Sequence, residues 1–115
     1  MVKNYIPKQK DIIYLDFNPT KGHEQKGVRP ALVLSNYSFN KFTKMALVCP
    51  ITSNMKEFPL HVKIGEKNKI NGVVMCEQIK AIDFAVRNAT FKEKLYDKTY
   101  EQVLNIINSF IEAEK

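Results

Sequence analysis

Residues 11–35 read DIIYLDFNPTKGHEQKGVRPALVLS, and they set the class of the fold. Asp11 to Phe17 is dense in Ile, Tyr, Leu and Phe, the residues that suit a pleated surface, and it is closed by Asn18 and Pro19, which cannot continue a central strand. Residues 18–27 (NPTKGHEQKG) are polar and carry two glycines, the composition of a loop that bears function on a rigid support. Arg29 to Ser35 (RPALVLS) is then a second strand, with Pro30 where a strand can begin.

Working outward, Met45 to Ile51 (MALVCPI) is a nearly continuous apolar run, as expected of a buried strand, and Pro50 near its end predicts a bulge or an edge. Between them, Asn36 to Lys44 is too rich in Asn, Ser and Phe to fix an element, and one helical turn fits it. Leu60 to Ile64 alternates apolar and polar, the mark of a half-buried strand. A tight Asn71-Gly72 turn would pair it antiparallel with Val73 to Cys76. Gln78 to Phe84 and Val86 to Thr90 supply at least one more strand. After Phe91 the period changes. Tyr100, Val103, Leu104, Ile107, Phe110 and Ile111 form one apolar stripe on a helix over Lys98 to Glu112, capped by Asp97 or Thr99. Five to seven short strands and a terminal helix predict a mainly β fold, a small antiparallel barrel or curled sheet closed by that helix. With no repeat or low-complexity tract, residues 1–115 read as one domain.

The composition, 44% hydrophobic and 26% charged, is that of a folded chain and excludes intrinsic disorder as its main description. No apolar run approaches the roughly 20 residues of a membrane span, and Met1 to Lys10 lacks a signal-peptide pattern, so the expected compartment is the cytoplasm. Cys49 and Cys76 lie in apolar runs without a CxxC or nearby histidine at ligand spacing, and read as buried thiols. The net charge of +6 is uneven: residues 97–115 hold four acids and two bases, leaving +8 on residues 1–96. A basic body favours an anionic partner such as nucleic acid or an acidic peptide.

No dinucleotide, Walker, HExxH, paired CxxC or GxSxG motif is present. What stands out is GHEQKGVRP, residues 22–30, where Glu24 and Arg29 either meet at a strand edge or form a surface ion pair. The chain has sixteen lysines and two arginines, Arg29 and Arg87. A guanidinium fork binds phosphate bidentately and stays charged, so Arg29 beside a glycine loop is a candidate phosphate clamp and Arg87 an ordinary surface ion pair. His23 falls in the loop, and His61, on the opposite strand face from Leu60 and Val62, reads as a surface histidine.

Asp16-Phe17-x-Pro19, the segment from Gly22 to Ser35, Pro50-Ile51-Thr52, Asn71-Gly72-Val73 and Glu77-Gln78-Ile79-Lys80-Ala81-Ile82-Asp83 together resemble the MazF/PemK family of bacterial toxins. The resemblance implies a Src-homology-3-like barrel with a C-terminal helix, a symmetric homodimer, and an antitoxin partner with an acidic disordered segment. It also implies endoribonuclease activity on single-stranded RNA that needs no metal or cofactor. In that chemistry the 2′-hydroxyl attacks the adjacent phosphate, leaving a 2′,3′-cyclic phosphate and a 5′-hydroxyl. By position, Arg29 and Thr52 match the family's active-site pair, Arg29 stabilising the phosphorane and Thr52 hydrogen-bonding the scissile phosphate. Glu24 matches a loop acid and is the candidate base. Phe17, Lys56, Phe58, Lys80, Glu77 and Gln78 are the candidate RNA contacts, with core the favoured reading for Phe17 and Phe58. In the PemK branch an Arg and an Asp flank a Cys where this chain has Met75 and Glu77 around Cys76, so that branch's scheme does not carry over whole. Fold alone leaves a gyrase-binding toxin and a plain RNA-binding barrel as alternatives.

Overall fold

A computed structural model of the chain describes residues 5–16 and 27–114. β1 (Asp11–Asp16) and β2 (Val28–Val33) pair antiparallel from Ile12↔Leu32 to Asp16↔Val28. β3 (Ala46–Thr52) adds to β2 through Ala31↔Pro50, Leu32↔Cys49 and Val33↔Val48. The sheet is completed by β4 (His61–Lys63), β5 (Val73–Met75), β6 (Lys80–Ile82) and β7 (Thr90–Lys94), in the order β4-β5-β3-β2-β1-β7 with β6 also on β3. The expected mainly β architecture with a C-terminal helix is what the chain adopts.

Strand alternation sorts the apolar side chains onto two faces. Ile12, Leu32, Cys49, Ile51, Val62 and Val74 pack on one side against Tyr100, Val103 and Ile107 of helix α2 (Asp97–Ile111). Ile13, Leu15, Ala31, Val33 and Val48 pack on the other with Ile82 and Phe84. The apolar stripe of α2 is buried as far as Ile107, and Phe110 and Ile111 in the last turn are exposed. Tyr100 secures the helix to the sheet by donating its hydroxyl to Leu34 O at 2.9 Å.

Four expectations are corrected. Residues 36–44 form a seven-residue helix, α1 (Tyr37–Thr43), despite its weak helix formers. Asn36 caps its start by accepting from Phe39 N–H at 2.9 Å, and the buried Asn40 ties it down by donating to Pro7 O and Ser35 O at 2.8 and 3.1 Å. Pro50 marks neither a bulge nor an edge. It falls between Ala46–Val48, which pair with β6, and Ile51–Thr52, which pair with β5, where β3 changes partner on that side. The β4–β5 pair is antiparallel as expected, but Asn71-Gly72 ends a longer connection, with Ile64 N–H donating to Gly72 O at 2.9 Å. Finally, Tyr96 stands at the N-cap of α2 without a side-chain cap, and Asp97 instead pairs with Lys10 at 3.1 Å.

Candidate functional site

Arg29 enters the sheet opposite Leu15 of β1. The β2–β3 register, continued by two residues past Ala31↔Pro50 along both strands, sets Arg29 against Thr52. By alternation both stand on the face turned away from α2, and both are half-buried. Thr52 is opposite Val73 of β5, and Val73 opposite Lys63 of β4. Thr52, Val73 and Lys63 thus form one row across three strands, with His61 and its partner Met75 two residues further along on the same face, and Arg29 lies on β2 two residues beyond its last pair with β3, Ala31↔Pro50.

Residues 53–60 rise beside this row. Thr52 Oγ1 accepts from Asn54 N–H at 3.2 Å, and Asn54 Oδ1 from Lys56 N–H at 3.1 Å, so two side-chain turns shape the segment. A hydroxyl that accepts one bond still has its hydrogen to donate, as a phosphate contact requires. Between the segment and the strands lies a groove of about 700 Å³ lined by Met55, Lys56, Phe58, His61, Lys63 and Val73 among others. From the other side Gly72 presses on the row: a Cβ there would lie 2.5 Å from Thr52 O.

The groove corrects two expectations. Phe58 is not core but 47% exposed at the groove edge, its ring meeting His61 edge-on at 4.9 Å between centroids. His61 is not a surface histidine. Its side chain is only 16% exposed and its Nε2 lies 3.1 Å from Glu77 Oε2. The alternation of residues 60–64 was legible, but it could not show that the face opposite the core is walled by residues 53–60.

Glu77 and Gln78 follow β5 in a 3-10 turn. Partial burial opposes the charge of Glu77, but hydrogen bonds from its own backbone N–H, from His61 and from Gln78 outweigh it and hold the carboxyl below the usual glutamate range. Lys56 lines the groove, whereas Lys80 sits on β6 opposite Val48, four residues along β3 from Thr52, or about 13 Å. Glu24, Phe17 and His23 lie outside the described residues. Arg87 fastens the end of β1: its backbone O accepts from Asp16 N–H at 2.8 Å and its Nη1 donates to Asp16 O at 3.5 Å. Both cysteines are free and buried, as read, and burial pushes Cys49 up to about 12 and Cys76 up to about 11, which removes them as nucleophiles near neutral pH. Among the described residues no group of three or more His, Cys, Asp or Glu is placed to hold a metal ion.

A profile of the family described as "PemK-like, MazF-like toxin of type II toxin-antitoxin system" matches residues 8–111. The chain belongs to this family. Among PemK-like, MazF-like relatives, the endoribonuclease toxin MazF of Escherichia coli K12 is 38% identical over 111 residues, 96% of this chain and 99% of that protein. Endoribonuclease EndoA of Bacillus subtilis is 37% identical over 98 residues, 81% and 78% of the two chains. Among solved structures, the MazE-MazF complex (Form-II) of Deinococcus radiodurans contains a chain matched with a TM-score of 0.88 at 31% identity, covering 96% of this chain and all of that one. In this PemK-like, MazF-like toxin the motif residues that are described, Arg29 and Thr52, stand 23 positions apart in sequence on the neighbouring strands β2 and β3.

A pH prediction follows from two carboxylates. Glu93 accepts from Lys69 and Ile70 N–H at 3.1 and 2.8 Å, steadying the connection that ends in Gly72. Burial opposes its charge too, yet its hydrogen bonds with Asn68, Ile70 and Lys69 hold it, like Glu77, low. A group depressed in the folded state contributes stability above its unfolded value, about 4.3 for glutamate, and that contribution is lost as pH falls through the folded value. The melting temperature is expected to fall below pH about 4.3, and less so in Glu93→Gln; identical acid profiles for the two proteins would contradict this.

Proposed function

We propose that this chain is the toxin of a type II toxin–antitoxin system and a sequence-specific endoribonuclease. It cleaves single-stranded RNA by 2′-hydroxyl attack on the adjacent phosphate. What supports the reading is the β2–β3 register, which, continued past Ala31↔Pro50, projects Arg29 toward Thr52 on the sheet face away from the helix. The guanidinium offers a planar fork of donors to phosphate oxygens as the phosphorane gains charge, and the Thr52 hydroxyl donates one more bond. Glu24 on the β1–β2 connection is the proposed acceptor of the 2′-hydroxyl proton. A guanidinium with a pKa above about 12 is a poor acid, so Arg29 acts through charge and geometry. Lys63 in the row and Lys56 beside it hold neighbouring phosphates.

The names of the relatives support the same reading, as does the antitoxin in the Deinococcus complex. The partners proposed are RNA, a second copy of the chain, and an antitoxin whose acidic segment meets the groove at Lys56 and Lys63. The proposed compartment is the bacterial cytoplasm; no helix among the described residues is long and apolar enough to cross a membrane. The test is incubation with a long unstructured RNA in EDTA, followed by mapping of the ends. Cleavage at defined sites leaving 5′-hydroxyl and 2′,3′-cyclic phosphate ends is expected. Intact RNA would overturn the proposal, and gyrase-dependent DNA breaks would replace it with the non-catalytic toxin.

A further inference from the structure

His61 is placed in an unusual way. Its Nε2 faces Glu77 Oε2 at 3.1 Å, and because an ionised carboxylate only accepts, Nε2 carries the hydrogen. Its Nδ1 is buried and has no hydrogen-bond partner among the described residues. Buried polar atoms are seldom left unpaired, and of the two ring nitrogens the bare acceptor is the one less costly to leave so. The ring is further fixed by the edge of Phe58 and by its own backbone N–H, which donates to Phe58 O at 2.9 Å. The imidazole therefore spends its one side-chain hydrogen bond on aiming the Glu77 carboxylate, which remains 29% exposed.

This pair is too far from the clamp to act on the same phosphate. From Thr52 to His61 is two strand spacings across and two residues along, about 12 Å between backbones. Glu77, held by the groove-lining His61, and Glu57 in the groove wall are carboxylates with a cost where polyanionic RNA is to bind, since they repel phosphate. Glu77 has a use if it meets a base. Carboxylates accept from amino groups on base edges, and exposed aromatic rings such as Phe58 stack on bases of any kind.

We propose that Glu77 and Phe58, with His61 as a positioning residue, form a subsite that reads one nucleobase beside the scissile phosphate and selects bases with an exocyclic amino group over uracil. This rests on the endoribonuclease reading above and names its substrate. Adenine, cytosine and guanine each present an amino donor to the carboxylate. Uracil offers only an N–H flanked by two carbonyl oxygens, which a carboxylate repels. A hydrogen bond to a charged group, when lost, corresponds to about tenfold to hundredfold discrimination.

The experiment uses an unstructured RNA library with randomised bases, read by sequencing the cut ends. The wild-type protein should show one position depleted of uracil about tenfold or more. Glu77→Gln, whose amide both donates and accepts, should admit uracil there. His61→Phe should also flatten the preference, and His61→Gln, which keeps an N–H toward Glu77, should restore it; a merely structural histidine would not show that rescue. Phe58→Leu should weaken all four bases alike. A wild-type protein indifferent to uracil at every position, or a depletion unchanged in Glu77→Gln and His61→Phe, would overturn the proposal. So would uniform loss of cleavage in those variants with the preference intact. A parallel selection by binding, with 2′-deoxy nucleotides that cannot be cut, reads the subsite even if the protein does not cleave RNA, so the two failures are distinguishable.

Discussion

Arg29→Ala is expected to lower kcat/KM for RNA cleavage by at least about 10²–10³-fold, the effect of removing one pre-positioned donor from a developing oxyanion, with the fold retained. The loss falls mainly on kcat, because charge accumulates on the phosphorane more than on the ground-state phosphodiester. The side chain lies at the end of β2 and is half-buried, so its removal leaves both apolar clusters untouched. Arg29→Lys should recover little, since an ammonium supplies a point charge where two parallel donors are needed. Single-turnover kinetics on a defined RNA, with circular dichroism melts of both variants, decide the matter. Full activity in Arg29→Ala would remove Arg29 from the mechanism.

Gly72→Ala should damage fold and activity together. Gly72 has φ of +141°, where a Cβ is strained, and an added Cβ would meet Thr52 O at 2.5 Å and Ile51 Cγ2 at 3.2 Å. Neither neighbour is free to yield: Ile51 is buried beneath α2 and Thr52 is backbone-paired to Val73. The expected cost is about 2–4 kcal/mol, from a residue forced into an incompatible conformation plus a backbone clash. For a domain of this size that is a fall in melting temperature of roughly 10–20 °C. Activity should fall further than the unfolded fraction explains, because the strain displaces the strand end that carries the Thr52 hydroxyl. Wild-type melting and kinetics in Gly72→Ala would refute the close contact.

Legibility in the sequence followed from where the physics is local. Strand formers stopped by Asn18-Pro19 located β1, and the stripe from Tyr100 to Ile107 located α2, because each element buries one face in a regular period. Helix α1 was obscured because its stability comes from Asn36 capping and the buried Asn40, contacts reaching back to Pro7. Pro50 misled because proline is excluded from a central strand only where an N–H is needed, and which neighbour a strand has at each residue is a tertiary fact. Arg29 and Thr52 stand out through motif and resemblance, and the relation of their strands needs the β2–β3 pairing. His61 was missed for a related reason. Alternation tells which face a residue occupies, but not what stands over that face.

Thr52 also has Ile51 for a neighbour on β3, one on the face away from the helix and the other in the core beneath it. A slip of β3 by one residue would exchange them, burying a hydroxyl and exposing an isoleucine, and Cys49 would change sides with Pro50. Chemistry and folding are thus written in the same reading frame of the strand. A misaligned chain loses its core at the moment it loses its hydroxyl, so assembly of the sheet itself proofreads the site.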